Sequence, residues 1–376
     1  MSDEQDESTD ERDLITPTER RNVRLWTVML IVLFVIIGFF TVWAEYKNKA
    51  AATERHQERM NPNIGEGGTK PPSIALPEGA APVKAQAGIY VDRVVELSVK
   101  EAGWTVDFYF WLRWKGTEVD LGENFQVVDG WIESKEKADE YTNGDEHYRL
   151  YRVVARITKF FDVSRFPCDD HVLTVNIESP AFERNELLFV ADTENSGVSS
   201  RVQIAGYTIR QQGILEKPHA YKSTRGDPRL TAGTERTHSQ LRMGIWISRP
   251  SWGFYLKMFI ALFGAVGVAI LVFFIKPTDV DPRFGLGVGA LFAVIANNYV
   301  TSSLVPDIGA MTLADMVNIV GIVTIFLTLL QSTISLYLYD RKGKKALSRQ
   351  FDRISFIVLL AGYLIINLAL PLAATL

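Results

Sequence analysis

Five apolar segments of membrane-spanning length are the feature that most constrains how this chain of 376 residues can fold. The hydrocarbon core of a bilayer is about 30 Å thick, and a helix that rises about 1.5 Å per residue crosses it with about 20 apolar residues. The segments begin near Leu25, Trp252, Phe284, Leu313 and Ile354. The sequence therefore predicts a membrane protein with several spanning helices.

The distribution of charge gives an orientation. The net charge of −4 offers no reason to expect a nucleic-acid partner. Basic residues flank the first apolar segment at positions 20, 21 and 24, occupy positions 276 and 283 between the second and third, and form RKGKK before the last. Because lysine and arginine prefer the cytoplasmic side, the N-terminus is predicted to be cytoplasmic, and residues 45–250 and the C-terminus external.

The first apolar segment admits two interpretations. One is a retained membrane anchor, which its length and the preceding polar residues favour. The other is a cleaved signal peptide, since Val42 and Ala44 form an acceptable small-residue cleavage site.

No enzyme, metal or cofactor chemistry is indicated by the residues. Cys168 is the single cysteine, so an intrachain disulfide is excluded, and the five histidines lack metal-ligand spacing. The run GLGVGA fits the dinucleotide fingerprint formally, but it lies inside an apolar segment without a βαβ context. Neither a nucleophile with its base nor a phosphate loop is found.

The chain divides into five predicted regions. These are a disordered acidic cytoplasmic tail at 1–22, a membrane anchor at 23–44, a stalk and Pro/Gly-rich linker at 45–82, a β-sandwich at 83–250, and a four-helix domain at 251–376 with helices at about 252–275, 284–304, 313–338 and 354–374.

The β-sandwich is predicted from a period of two. In TVDFYFWLRW the alternate residues from Val106 to Trp114 share one face, and HVLTVNI and QLRMGIWIS alternate in the same way. At least six such strands are separated by turn-rich segments. The predicted fold class is therefore α+β: an external antiparallel β-sandwich, a four-helix membrane bundle after it, and one N-terminal membrane helix.

One loop carries a resemblance to a known family. In FFDVSRFPCDDHVLTVNIES, the residues Phe166, Pro167, Asp169 and Leu173 match an aromatic-Pro-x-Asp-x-x-x-Leu pattern. This segment resembles the signature loop of pentameric ligand-gated ion channels, the Cys-loop receptor superfamily, in the prokaryotic type without the disulfide. SRPSWGFYLKM resembles the start of the family's first channel helix, and the run from Asp281 to Thr312 resembles its second helix and the following connection. The resemblance covers about residues 83–376.

The resemblance implies a homopentamer in a lipid bilayer. Such an assembly passes inorganic ions when an unknown small-molecule ligand or protons act on the β-sandwich, and its place would be the bacterial inner membrane. A non-conducting pentameric receptor or assembly partner that retains the scaffold is the alternative. In this family Asp169 and Arg249 form an ion pair at the joint between sandwich and membrane, with Phe166, Pro167 and Pro306 beside it. The competing interpretation is that Asp169 caps a turn and Arg249 reaches lipid headgroups.

The second channel helix carries a regular stripe. Six residues recur at steps of four and three, which places them on one helical face. The resemblance implies that this face lines the pore, with Asp281 at its mouth and Phe292 as the gate. Alternatively, Gly285 and Gly289 serve helix packing. Asp281 favours cations, whereas Pro282 and Arg283 resemble the run of anion-passing members. The six residues are Gly285, Gly289, Phe292, Ala296, Tyr299 and Ser303.

A ligand site is implied between neighbouring sandwiches, beneath a hairpin within residues 216–240. Tyr109, Trp131, Phe182 and Tyr221 are the predicted aromatic cage for an amine, and core packing is the alternative for the same residues. Protonation of His171, beside Asp169, is a second possible trigger, against the interpretation that this histidine is a solvated loop residue.

Overall fold

The computed structural model describes residues 15–65, 71–116, 121, 124–231, 233–307 and 309–375. Contacts divide the chain into two compact units. The helical unit contains the chain up to Lys49, the short segment Val163–Cys168 and the residues from Ser251 onward. The β unit contains Ala50–Asp162 and Asp169–Pro250. The predicted combination of a β-rich part with apolar helices is confirmed.

Five helices in the described part of the chain are long and apolar enough to cross a membrane. A 3₁₀ turn, Leu271–Phe274, follows the second helix, and a π-helical turn, Tyr337–Arg341, follows the fourth. The helices are α1 Pro17–Met60, α2 Ser251–Ile270, α3 Val280–Ser303, α4 Leu313–Leu336 and α5 Lys345–Thr375.

Three helices begin earlier than the sequence predicts, and α3 does so by four residues, at Val280 instead of 284. At the start of α1, the Glu19 carboxylate accepts a hydrogen bond from the Thr16 amide at 2.8 Å and the Thr16 hydroxyl accepts one from the Glu19 amide at 3.3 Å. This reciprocal cap starts the helix at residue 17, so the prediction of a disordered tail is wrong for residues 17–22; residues 1–14 lie outside the described residues. Helix α5 begins at Lys345 instead of near 354, because hydropathy does not register its charged first turns.

The β unit holds two sheets. The first has the order β4-β5-β2-β1-β7, with β8 also paired to β1, and the second has the order β3-β6-β10-β9. The strands are β1 Val83–Ser98, β2 Gly103–Lys115, β3 Gln126–Val128, β4 Gly130–Asn143, β5 Glu146–Thr158, β6 Asp170–Glu178, β7 Leu187–Ala191, β8 Gly197–Val198, β9 Thr208–Tyr221 and β10 Arg236–Ser248.

The predicted inward residues are buried. In β2 the alternate residues from Val106 to Trp114 are at most 3% exposed, and the alternating apolar residues of β6 and β10 are at most 1% exposed. The two sheets are therefore compatible with a sandwich around an apolar core. The first sheet is not wholly antiparallel, however, because β1 pairs in parallel with β7 and β8. Both strands return to β1 after long connections, which parallel pairing requires.

Buried polar contacts join the membrane-length helices to one another. The Tyr255 hydroxyl of α2 donates to the Asn367 carbonyl of α5 at 3.2 Å. The Asn297 amide of α3 donates to the Asn318 side chain of α4 at 3.0 Å. Polar groups inside a bilayer have no water to bind, so contacts of this kind fix how the helices pack. The helical unit is compatible with a four-helix bundle beside α1.

The last turns of α1 belong to the β unit and dock onto its second sheet. The Lys217 ammonium donates to the Glu58 carbonyl at 2.5 Å, and the Arg242 guanidinium donates to the Arg59 carbonyl at 2.7 Å. These carbonyls end the helix and carry its negative partial charge. Two cations from the sheet therefore anchor the C-terminus of α1.

Candidate functional site

The first candidate site lies where β6 begins and β10 ends. Asp170 pairs with Ser248 in the ladder between these strands, so the next residues outward, Asp169 and Arg249, are neighbours. Arg249 Nε donates to Asp169 Oδ1 at 2.7 Å, and the Arg249 amide donates to the Asp169 carbonyl at 3.2 Å. Asp169 is 1% exposed. The structure thus brings the two side chains together; their coupling role stays a prediction.

Two further residues complete the hydrogen bonding of Asp169. His171 Nε2 lies 2.7 Å from Asp169 Oδ2, and the Tyr207 hydroxyl donates to the same oxygen at 3.3 Å. Arg249 Nη2 donates to the Tyr207 oxygen at 2.7 Å, and the guanidinium lies 4.3 Å from the centre of the tyrosine ring. Tyr207 is distant in sequence, and no motif pointed to it.

His171 is not a solvated loop residue. It is buried within β6, and its ring packs edge-to-face against Phe161 at 5.0 Å. The interpretation of His171 as a solvated loop residue is therefore wrong, because the residue lies within β6 and its side chain is buried.

The charge state of Asp169 follows from these contacts. Burial alone would raise the pKa of this carboxyl, but the hydrogen bond and charge of His171, together with the charge of Arg249, hold the pKa at about 2. Burial, and then the nearby Asp169 charge, raises the pKa of Tyr207, so its hydroxyl remains a donor. An ionised carboxylate with this set of donors favours an ion pair over a turn cap.

The loop segment Val163–Cys168 belongs to the helical unit, where it covers the start of α4. The Ser164 carbonyl accepts from the Leu313 amide at 2.8 Å, and the Phe166 carbonyl accepts from the Ala314 amide at 3.0 Å. The first amides of a helix lack partners within the helix, so the loop satisfies them. The sequence did not predict these two hydrogen bonds, although the capping box of Thr312 and Asp315 indicates that a helix begins here.

Other loop residues predicted for the coupling interface are placed as follows. Phe166 is 2% exposed and packs edge-to-face against Phe254 of α2, with ring centroids 6.2 Å apart. Pro167 follows it through a cis peptide bond. Pro306 is half-buried in the connection between α3 and α4. Cys168 is buried and forms no disulfide within the described residues.

The second candidate site is the exposed stripe of α3. Residues turn by about 100° each around an α-helix, so the centre of the predicted stripe lies about 160° from the centre of the face that packs within the chain. Phe292 is 69% exposed and Tyr299 is 78% exposed. The packed face contains Arg283, Gly287, Ala290, Val294, Asn297 and Thr301. All seven predicted stripe residues, Asp281, Gly285, Gly289, Phe292, Ala296, Tyr299 and Ser303, are exposed.

The glycines of α3 separate into two kinds. A Cβ atom added at Gly285 or Gly289 would meet nothing within 4 Å, whereas one added at Gly287 would clash with Leu329 of α4. Within the described chain, Gly287 is therefore the packing glycine. Gly285 and Gly289 leave open surface, which weakens the alternative that they pack against another helix of the same chain.

Arg283 belongs to the packed face and not to the stripe. Its Nη2 donates to Asp352 Oδ1 of α5 at 2.7 Å, and its Nη1 donates to the Ile275 carbonyl at 2.7 Å. The side chain is 0% exposed. Asp352 is the only acidic residue of α5, and a lone carboxylate in a membrane-length segment was a signal that could have revealed the pair. Asp281 is exposed in the first turn of α3, and Asp279 is exposed immediately before the helix.

The four aromatic residues of the predicted cage form two separate pairs. Tyr109 is paired with Arg152 of β5, and Trp131 is paired with Arg156 of the same strand, so both aromatics lie on one face of the first sheet. On the second sheet, His238 links the other pair: its Nδ1 lies 2.9 Å from the Phe182 carbonyl, and its ring lies 5.4 Å from that of Tyr221. One chain therefore does not assemble the four into a single cage.

Tyr221 is already engaged within its own chain. Its hydroxyl donates to Glu178 at 2.8 Å, and the Arg225 guanidinium lies 4.4 Å from its ring centre. Burial of Glu178 opposes its ionisation, but the hydrogen bond and charge of His219, followed by hydrogen bonds from Tyr221 and Gln240, lower its pKa. An amine ligand at this ring would have to displace Arg225. Among the described residues, no cluster of three histidine, cysteine, aspartate or glutamate side chains could hold a metal.

The sequence is distantly similar to a known protein. No family model matches the sequence. Over 303 residues, or 74% of this chain, the sequence is 20% identical to gamma-aminobutyric acid receptor subunit beta-4 of Gallus gallus. The match spans 60% of the length of that protein. The chain is therefore similar to a receptor subunit, and its apolar helices are long enough to cross a membrane.

The Asp169–Arg249 pair predicts a strong energetic coupling. Replacing either partner, as Asp169→Asn or Arg249→Gln, should lower the free energy of unfolding by about 3 kcal/mol, because the remaining group is left buried without its partner. The double variant should lose less than the sum of the two. Urea unfolding of the detergent-purified chain, followed by tryptophan fluorescence, measures all three. The pair Lys137 and Glu140, in which both side chains are exposed, is the control, and its cycle should show little change.

The lowered pKa of Asp169 predicts an acid dependence. Its folded pKa of about 2 lies below the value of about 3.9 for an unfolded aspartate, so the stabilisation is complete above about pH 4 and is lost as the pH falls toward 2. The difference in unfolding free energy between the native chain and Asp169→Asn should shrink across that range. A constant difference between pH 5 and pH 2 would show that the carboxylate is not held ionised.

Proposed function

We propose that the chain is a subunit of a homopentameric ligand-gated ion channel, with α3 lining the pore. The observation that carries this proposal is the exposed stripe of α3, which lies opposite the face that packs within the chain. The similarity to a gamma-aminobutyric acid receptor subunit supports it. The number five comes from the sequence resemblance to the pentameric channel family.

The residues of the stripe are better suited to face water than to face lipid. It combines Asp281 and Ser303 with glycines that expose backbone, and α3 is the least apolar of the five membrane-length helices. A charged group facing hydrocarbon is costly, so such residues face a protein interior or an aqueous path. Copies of the chain arranged around an axis would place the stripe on a shared water column and cover the flanks of α3 with neighbouring subunits.

The remaining assignments belong to the same proposal. The β unit receives an unknown small-molecule ligand or protons on the external side, and the N-terminus lies in the cytoplasm of a bacterial cell whose inner membrane holds the channel. Asp169 and Arg249, with Phe166, Pro167 and Pro306, carry the signal toward α4. The ligand lies between neighbouring β units, with Phe182 and Tyr221 from one subunit and Tyr109 and Trp131 from the next.

Phe292 is the proposed gate. Five phenylalanine side chains at one level make an apolar ring that excludes ions by dewetting. Phe292→Ala should therefore raise the resting current of the purified protein in planar bilayers by at least about tenfold. Ile295→Ala is the matched control, because Ile295 is also exposed but lies on the flank of α3. Equal currents for the two variants would contradict the gate assignment.

Measurements on the same purified protein distinguish a channel from a non-conducting receptor. Mass measurement of the detergent-solubilised complex should give five chains, and the native protein should conduct under some condition of pH or ligand. A pentamer in which even Phe292→Ala passes no ions would favour a non-conducting receptor. A different stoichiometry would overturn the proposal.

Selectivity is proposed to reside in Asp281. Five exposed carboxylates at the end of the pore attract cations and repel anions. Asp281→Asn should shift the reversal potential under a salt gradient toward zero, which is the value for a non-selective pore. Arg283→Gln is the control, because Arg283 is buried and paired with Asp352: it should weaken the complex without changing the sign of the reversal potential. A loss of selectivity in Arg283→Gln alone would assign the filter to the arginine.

A further inference from the structure

A large open cavity lies at one end of the helical unit and has no part in the proposed pore. Its volume is about 630 Å³, within the usual range of about 300–1,000 Å³ for ligand pockets. The walls come from the turn after α2, the π-helical turn after α4 and the first turns of α5. We name it the α2–α5 cavity.

The cavity is lined by four cations. Lys345, Arg349 and Arg353 recur every four residues, which places them in a row on one face of α5. Lys276 lies across from them, after α2, and all four side chains are exposed. Within the part of the chain that the structure describes, Lys276, Lys345 and Arg353 form no ion pair. The cavity therefore offers positive charge to an anion.

The one carboxylate in the wall is already neutralised. Asp352 lines the cavity, but its Oδ1 accepts from Arg283 Nη2 at 2.7 Å. It consequently opposes an anion far less than a lone carboxylate would. The net charge that faces the cavity is strongly positive.

Apolar rings lie beside the cations in the same cavity. Phe274 and Phe356 are in edge contact, with centroids 4.9 Å apart, and Phe274 is 71% exposed. Helix α5 has 31 residues and a length of about 46 Å, which exceeds the hydrocarbon core by about ten residues. Its basic first turns therefore extend into the headgroup region while Phe356 enters the hydrocarbon. This order of charge and then aromatic surface matches the order of phosphate and then acyl chain in a lipid.

We propose that the α2–α5 cavity binds an anionic phospholipid. The phosphate lies among Lys276, Lys345, Arg349 and Arg353, and the first part of an acyl chain lies along Phe274 and Phe356. The occupant is a lipid and not a free phosphate, because the aromatic wall continues into the apolar layer. The proposal requires that these helices span a membrane, and it does not depend on a pore.

A lipid bound in the cavity would affect the contacts that hold the first turn of α3. Asp352 and Ile275 both line the cavity, and both accept hydrogen bonds from Arg283 of α3. A bound headgroup that fixes the first turns of α5 would fix this acceptor pair as well. The lipid would thereby stabilise the joint that holds α3.

The experiment measures binding of a fluorescent phosphatidylglycerol to the purified full chain in neutral detergent. The test variant carries Lys345→Gln, Arg349→Gln and Arg353→Gln. The control variant carries Arg20→Gln, Arg21→Gln and Arg24→Gln, which removes the same charge from exposed positions at the start of α1. Each basic residue near a membrane surface strengthens anionic-lipid binding roughly fivefold, so the test variant should bind on the order of 100-fold more weakly than the native chain.

The control variant should bind like the native chain, and equal losses in the two variants would overturn the proposal by revealing general charge attraction. Phosphatidylcholine should not compete with the probe, whereas glycerol 3-phosphate that competes as well as the lipid would overturn the assignment to a lipid. On the native chain, a photoreactive phosphatidylglycerol should label peptides from residues 271–277 and 345–356. Labelling confined to other helices would overturn the site even where the test variant fails to fold.

Discussion

A helix that crosses a bilayer must keep its polar groups away from hydrocarbon, and α3 carries such groups on two opposite faces. On one face, Arg283 reaches Asp352 of α5 and Asn297 reaches Asn318 of α4, so the chain itself supplies the partners. On the other face, Asp281 and two open glycines have no covering helix within the described chain. The first face fixes α3 within its bundle, and the second is left open in a single chain. The proposed pore follows from this division of one helix.

In the β unit, Asp169 is likewise a buried polar group whose partners come from the same chain. A buried carboxylate is tolerable because His171, Tyr207 and Arg249 together supply donors and positive charge. The preceding segment, Val163–Cys168, belongs to the helical unit and satisfies the first amides of α4. One short loop therefore carries two saturated polar contacts, one in each unit. Saturated polar contacts of this kind have few alternative arrangements.

Two of the aromatic residues proposed for the ligand site already contact arginine side chains of the same chain. The Arg225 guanidinium covers the ring of Tyr221, and that of Arg152 lies 5.8 Å from the ring centre of Tyr109. Rings that already face an internal cation offer less to an external amine than bare rings do.

The sequence by itself determined the periodic features. The length of the apolar segments predicted the five membrane-length helices, and the alternation of apolar residues predicted the buried faces of β2, β6 and β10. The steps of four and three predicted the stripe of α3. These features are readable from sequence because helix and strand geometry repeat over short distances. Only the tertiary structure decided which side chains form hydrogen bonds with one another. Tyr207 completes the Asp169 network from a distant segment, and Arg283, which sequence placed near the pore mouth, turns to Asp352 on another helix. Local patterns do not encode such pairings, since they depend on which distant segments the folded chain brings within hydrogen-bond distance.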